Sequence, residues 1–271
     1  MIEEAGDPMH VTLLRSSAKP FQALPLVRAR NDLDELDLAI ASASHLANAE
    51  QLDAVRALLS KAPASEDELE LGTTGEGAGP TKLHHNCSGK HAGMLALCRS
   101  NGWESEGYHR LEHPVQRACH DEIASAAGAD MGELPMAIDG CGIPTFALPL
   151  ERMALMFSRL ESIDGGARVA AAMRAHPNLI RGPRAADSIL MRELDGFTAK
   201  GGAEGLMCAT GPNGLGLALK VADGNTRAVR SALAEFLRRL GFGTRELGSL
   251  PIENSLGETV GEIVSERSEG G

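Results

Sequence analysis

Leu206-Met207-Cys208-Ala209-Thr210-Gly211-Pro212-Asn213-Gly214-Leu215-Gly216-Leu217-Ala218-Leu219-Lys220-Val221 carries the clearest fold signal in this chain of 271 residues. Two apolar runs, Leu206 to Cys208 and Leu215 to Val221, flank the turn-forming Gly211-Pro212-Asn213-Gly214. That arrangement predicts a β-hairpin, an antiparallel pair of strands. Leu250 to Ile252 is a further strand candidate. Leu134 to Ile138 reads as a buried strand that ends at the turn Asp139-Gly140-Cys141-Gly142.

Around these strands the apolar spacing is helical. It predicts helices over 33–42, 48–61, 89–101, 114–127, 149–160, 166–175, 186–194 and 226–240. A helix also opens near residue 16, with Ser16 or Ser17 as its N-cap. Pro20 is tolerated there, because a third-position N–H lacks an intrahelical partner. Pro25 then bends or ends that element. Residues 1–12 are weakly patterned, Gly72 to Pro80 reads as a flexible loop, and 265–271 as a disordered tail. Nothing in between marks a linker or a repeat, so a single domain over 1–271 is expected.

Composition narrows the functional classes. Against 37 acidic residues stand 26 Lys and Arg, a net charge of −11, which disfavours partnership with nucleic acid or an anionic membrane. No run of 18 apolar residues and no signal-like N-terminus is seen, so a cytoplasmic protein is expected. The five cysteines are too scattered for a disulfide framework. Cys98 and Cys119 lie in helical contexts as small core hydrophobes, whereas Cys87 and Cys141 sit among Gly and polar residues near a pocket.

Chemistry concentrates in three segments: Arg15-Ser16-Ser17-Ala18-Lys19-Pro20, Asn86-Cys87-Ser88-Gly89-Lys90-His91 and Asp139-Gly140-Cys141-Gly142. Ser16 and Lys19, three apart at a helix start, face one side. A serine becomes a nucleophile when a lysine of depressed pKa takes its proton. Lys220, on a predicted strand, could supply the second positive charge that depresses Lys19. Taken alone, Ser-x-x-Lys is a weak signal, more often an N-cap and a surface lysine. Cys87 and Cys141 could bind zinc with an imidazole or water as further ligands, but without Cys-x-x-Cys pairing the spacing favours buried free thiols. His113-Pro114 and His176-Pro177 read as helix starts, and Ser44-His45 fits a capping role as well as a catalytic one. Gly72 to Gly79 lacks the lysine and spacing of a phosphate cradle.

Together and in order, these segments resemble the Rhizobium etli-type L-asparaginases from about residue 6 to about 262. Ala43-Ser44-His45, His113-Pro114-Val115-Gln116, Lys200-Gly201-Gly202-Ala203-Glu204-Gly205 and Leu219-Lys220-Val221-Ala222-Asp223-Gly224 extend the match. The resemblance implies an α/β fold of the α+β type: an antiparallel sheet flanked by helices, like serine β-lactamases and penicillin-binding proteins. It implies hydrolysis of L-asparagine to L-aspartate and ammonia through an acyl-serine. Ser16, Lys19, Ser44 (or nearby Ser42) and Lys220 would be catalytic, with either Ser16 or Ser44 attacking. It further implies zinc held by Cys87, Lys90 and Cys141, and a homodimer. Arg15, His91 and Asp139 become candidates for gripping the substrate's charged ends.

Family members ordinarily carry more residues ahead of the Arg15-Ser16 motif, forming strands, and a further shortening falls around 62–82. The resemblance therefore implies an unpaired sheet edge, and either a misassigned start codon or a shortened form whose sheet and activity are impaired. Two alternatives follow: a non-catalytic zinc-binding member, or a β-lactamase-like acyl-serine enzyme in which Cys87, Lys90 and Cys141 would have no purpose.

Overall fold

The computed structural model describes residues 1–73, 81–248 and 250–265. Its elements run in the order β1 (Val11–Leu13), α1 (Lys19–Gln22), α2 (Leu24–Ala29), α3 (Glu35–Ala41), α4 (Ala49–Lys61), α5 (Ser88–Asn101), α6 (Pro114–Ala127), β2 (Met136–Ile138), β3 (Pro144–Pro149) and α7 (Leu150–Arg159). Then come α8 (Gly166–Ala175), α9 (Pro177–Ile180), α10 (Ala186–Glu193), β4 (Thr198–Gly201), β5 (Leu206–Gly211), β6 (Leu215–Lys220), α11 (Val229–Arg239), β7 (Pro251–Glu253) and β8 (Thr259–Glu262).

The hairpin forms where expected. β5 and β6 pair antiparallel from Gly211↔Leu215 to Leu206↔Lys220, joined by a 3₁₀ turn at Pro212–Gly214. Asn213 takes φ 58° in that turn, a left-handed conformation asparagine tolerates better than most residues. β4 adds to the other side of β5, with Lys200 opposite Cys208. A second sheet has the order β1-β3-β2, and β7 pairs with β8 in an exposed two-stranded ribbon. The strands are thus mixed with helices as an α+β arrangement, but divided among small antiparallel sheets instead of one.

Several helix starts are written locally. Asn48 accepts the N–H of Gln51 at 2.9 Å, and the Gln51 side chain accepts the N–H of Asn48 at 3.2 Å, a reciprocal cap for α4. Asp34 and Asp37 close α3 in the same way. Pro114 occupies the first turn of α6, and His113 Nδ1 accepts the Val115 N–H at 3.2 Å.

The start near residue 16 differs from expectation. Neither Ser16 nor Ser17 caps a helix: Arg15–Ala18 is a 3₁₀ turn without a side-chain cap, leading into α1 and then α2. Ser17 instead donates its hydroxyl to the Lys200 carbonyl at 3.0 Å, fastening the turn to β4. Pro20 and Pro25 both fall in first turns, where a missing N–H costs nothing. The strand near 134–138 is also corrected. It is β2, an edge strand with Met136 44% and Ile138 61% exposed, because the interior place belongs to β3.

One continuous apolar cluster extends from Leu14 to Leu247. At its centre lies α5, buried at every position from Ser88 to Cys98. Gly89 allows that depth, since a Cβ there would come within 2.2 Å of the Ile40 carbonyl oxygen of α3. Cys98, Cys119 and Cys208 are buried thiols, with pKa values pushed up by burial to about 11, 12 and 12. Most of the expected loop 72–80 and all but the first residue of the expected tail 265–271 lie outside the described residues.

Candidate active site

Three backbone segments converge here: the 3₁₀ turn and α1, the N-terminus of α5, and the turn between β2 and β3. Lys19 is buried on the first turn of α1, and its Nζ donates to the Ser44 hydroxyl at 3.0 Å, to the Asn86 carbonyl at 3.5 Å, and to the Ala43 carbonyl. Burial lowers its pKa from the ordinary lysine range, with Lys90 lowering it further and Cys87 opposing. An amine that sheds its proton more readily is suited to accept one from a hydroxyl.

The two serines differ in what surrounds them. Ser44 is fully buried against Lys19, and its backbone N–H is held by the Ile180 carbonyl at 2.7 Å. Ser16 sits one turn before Lys19, whose N–H its carbonyl accepts, and is only partly buried. Ser42 is buried, with its hydroxyl unpartnered among the described residues.

Cys87, Lys90 and Cys141 come together despite their separation in sequence. Lys90 Nζ donates to Cys141 Sγ at 3.1 Å. A hydrogen bond from Cys141 holds the Cys87 thiol well below its usual pKa, helped by the charges of Lys19 and Lys90 and opposed by burial. That same bond, with burial, pushes Cys141 up. Burial works against the Lys90 charge, yet the facing thiols raise its pKa overall. Among the described residues no group of three or more His, Cys, Asp and Glu side chains could hold a metal ion.

Arg15 and Asp139 are brought together as an ion pair, Nε to Oδ1 at 2.7 Å, with Glu204 3.2 Å from the other side of the guanidinium. Asp139 also accepts the Gly140 N–H at 2.8 Å, so the turn carrying Cys141 is tied to the turn carrying Ser16. Arg15 takes φ 48° at this junction. An open cleft of about 530 Å³ borders Cys141 and is lined by Glu70, Lys82, His109, Gly140 and Gly142.

Two expectations are changed by the geometry. His91, a candidate for gripping the substrate's charged ends, is fully buried, its Nδ1 lies 2.7 Å from the Tyr108 hydroxyl, and burial drives its pKa well below the usual histidine range. A neutral imidazole cannot grip a carboxylate by charge. Lys220, at the end of β6, donates to the carbonyls of Glu204 at 2.7 Å and Val221 at 2.8 Å. The strand lysine that shares a field with Lys19 is Lys200 of β4. It is fully buried, and burial lowers its pKa to about 7 against the opposing charge of Asp187, 3.8 Å away. The sequence held a signal for this: a lysine inside the short apolar and small-residue run Thr198-Ala199-Lys200-Gly201.

The model of the L-asparaginase II family matches residues 1–265. The chain belongs to the L-asparaginase II family. No curated protein matches it. Membership in the L-asparaginase II family supports an amidohydrolase that acts on a small molecule, L-asparagine. No helix of the described residues is long and apolar enough to cross a membrane.

Proposed function

We propose that the chain hydrolyses L-asparagine to L-aspartate and ammonia through an acyl-serine formed on Ser16. The contact that carries this reading is Lys19 Nζ to Ser44 Oγ at 3.0 Å, one helical turn from the more accessible Ser16. Ser16 Oγ attacks the side-chain amide carbon, and its proton passes to the Lys19 amine, for which Ser44 serves as relay. Ammonia leaves with a proton returned through the same groups, and water cleaves the ester. Lys200 takes the role first expected of Lys220. A pKa near 7 suits a proton carrier in neutral solution, and activity rises as Lys200 loses its proton through that range. Arg15 and Asp139 bind the carboxylate and ammonium of the amino acid.

Cys87, Lys90 and Cys141 fit zinc: two buried thiols, one already favouring thiolate, and an amine within 3.1 Å of the other. These three residues would hold it, with Lys90 as the neutral amine. When bound, zinc supplies positive charge that orients the substrate beside Ser16. The same reading has the chain working as a cytoplasmic homodimer.

Ammonia release from L-asparagine is the direct test. Ser16→Ala is expected to lower kcat by at least ~10³-fold, as loss of a covalent nucleophile does. The 3.0 Å contact favours a second reading in which Ser44 attacks. Near-normal turnover in Ser16→Ala, with Ser44→Ala inactive, would move the nucleophile to Ser44.

A further inference from the structure

We propose that Asp187 is the positioning residue of this site, fixing both the Lys200 amine and the strand that presents it. The inference rests on the reading that Lys200 takes part in the chemistry. Asp187 lies in the first turn of α10 and is 1% exposed, facing a lysine that is 0% exposed. Its two carboxylate oxygens are divided. Oδ1 accepts the N–H of Ser188 at 3.1 Å, while Oδ2 accepts the N–H of Gly201 at 3.1 Å and stands 3.8 Å from Lys200 Nζ.

The carboxylate thus grips the β4 backbone one residue beyond Lys200 and leaves the amine just out of hydrogen-bond reach. Lys200 Nζ instead donates to the Gly201 carbonyl at 2.7 Å, and its own carbonyl receives the Ser17 hydroxyl at 3.0 Å. Asp187, Gly201, Lys200 and Ser17 therefore form one chain of contacts from α10 to the turn that bears Ser16. Among the described residues Asp187 is the one carboxylate within ion-pair distance of Lys200. The other groups that act on Lys200 are Lys19 of α1, Arg181 after α9 and Cys87 before α5, of which both cations disfavour its charge.

An unpaired ammonium buried in this position would lose its proton far more easily. Asp187 keeps Lys200 titrating near neutrality without trapping it in a close salt bridge. The role is one of placement and field, not contact with substrate.

The test is Asp187→Asn, which retains size and one acceptor oxygen for Gly201, removes the charge, and gives up the acceptor for the Ser188 N–H. The midpoint of the Lys200 amine, followed by ¹⁵N NMR of lysine-labelled protein and assigned with Lys200→Met, is expected to fall by at least ~1 pH unit. The acid limb of kcat/KM for L-asparagine should move down with it, and kcat should fall ~10-fold with KM nearly unchanged. A wild-type midpoint and wild-type kcat in Asp187→Asn would overturn the proposal. If that variant does not fold, Asp187→Glu decides. The charge is kept but displaced, so kcat should drop while the titration persists, and wild-type kcat would count against positioning. Full activity in Lys200→Met would instead remove the catalytic reading of Lys200. An inactive Lys200→Met beside a wild-type-like Asp187→Asn would remove only the role of Asp187.

Discussion

Lys220 and Lys200 show how a side chain's surroundings outweigh its sequence neighbourhood. Both lie on strands of the same sheet and both follow apolar or small residues. Lys220 ends its strand, is partly exposed, and spends its donors on two carbonyls. Lys200 lies within a four-residue strand buried at every position, so its charge is penalised. Lys220→Met should therefore leave kcat within about twofold and cost about 1 kcal/mol through two lost hydrogen bonds. Turnover assays and urea unfolding of the one variant check both figures; loss of turnover would return the catalytic role to Lys220. The residue types in the site were legible in the sequence. Lys19, Cys87, Lys90 and Cys141 act on one another in the fold, and Arg15 pairs with Asp139, all on segments that the sequence singled out. What could not be read was which lysine the fold would bury, because burial is set by strands distant in the chain.

At the level of elements, helices were recovered closely and strands unevenly. The 3.6-residue period is contained within each helix, so 114–127 could be bounded from apolar spacing and Pro114 alone. β1 and β4 have three and four residues, too few to display alternation. β3 begins and ends with proline and was hidden for that reason. Its place between β1 and β2 comes from pairings such as Leu13↔Ala147, invisible to any local pattern. The helix carrying Lys90 offers a stringent test of packing. Gly89→Ala in α5 would place a methyl 2.2 Å from the Ile40 carbonyl oxygen, a backbone atom that cannot rotate away. A loss of about 2 kcal/mol or more is expected, in line with overpacking of a filled interior. An unchanged urea midpoint would mean that α5 and α3 can separate freely. Because Lys90 follows Gly89 directly, the same variant should also weaken zinc retention.

For the whole molecule, the proposed zinc would join parts that are far apart in the chain. Cys87 and Lys90 sit at the start of α5, in the middle of the apolar cluster, whereas Cys141 belongs to the turn of the peripheral β1-β3-β2 sheet. A ligand bound only by the folded chain stabilises it by mass action, about 2.7 kcal/mol at a free concentration of 100 Kd. Removing zinc from the wild-type protein with a chelator should accordingly lower Tm by several degrees. Cys141→Ala should begin with that lower Tm, contain no stoichiometric zinc, and respond little to chelator. Stoichiometric metal in the variant, or an equal chelator effect in both proteins, would show the ligands to be elsewhere. The proton balance gives the sign of the pH effect. Cys87 already favours its thiolate, but Cys141 and Lys90 hold their protons more firmly than usual and must release them to bind. Zinc affinity should thus strengthen as pH rises, and with it the Tm difference between wild type and Cys141→Ala. A difference that shrank with rising pH would mean that the thiol and amine of this cluster do not bind the metal.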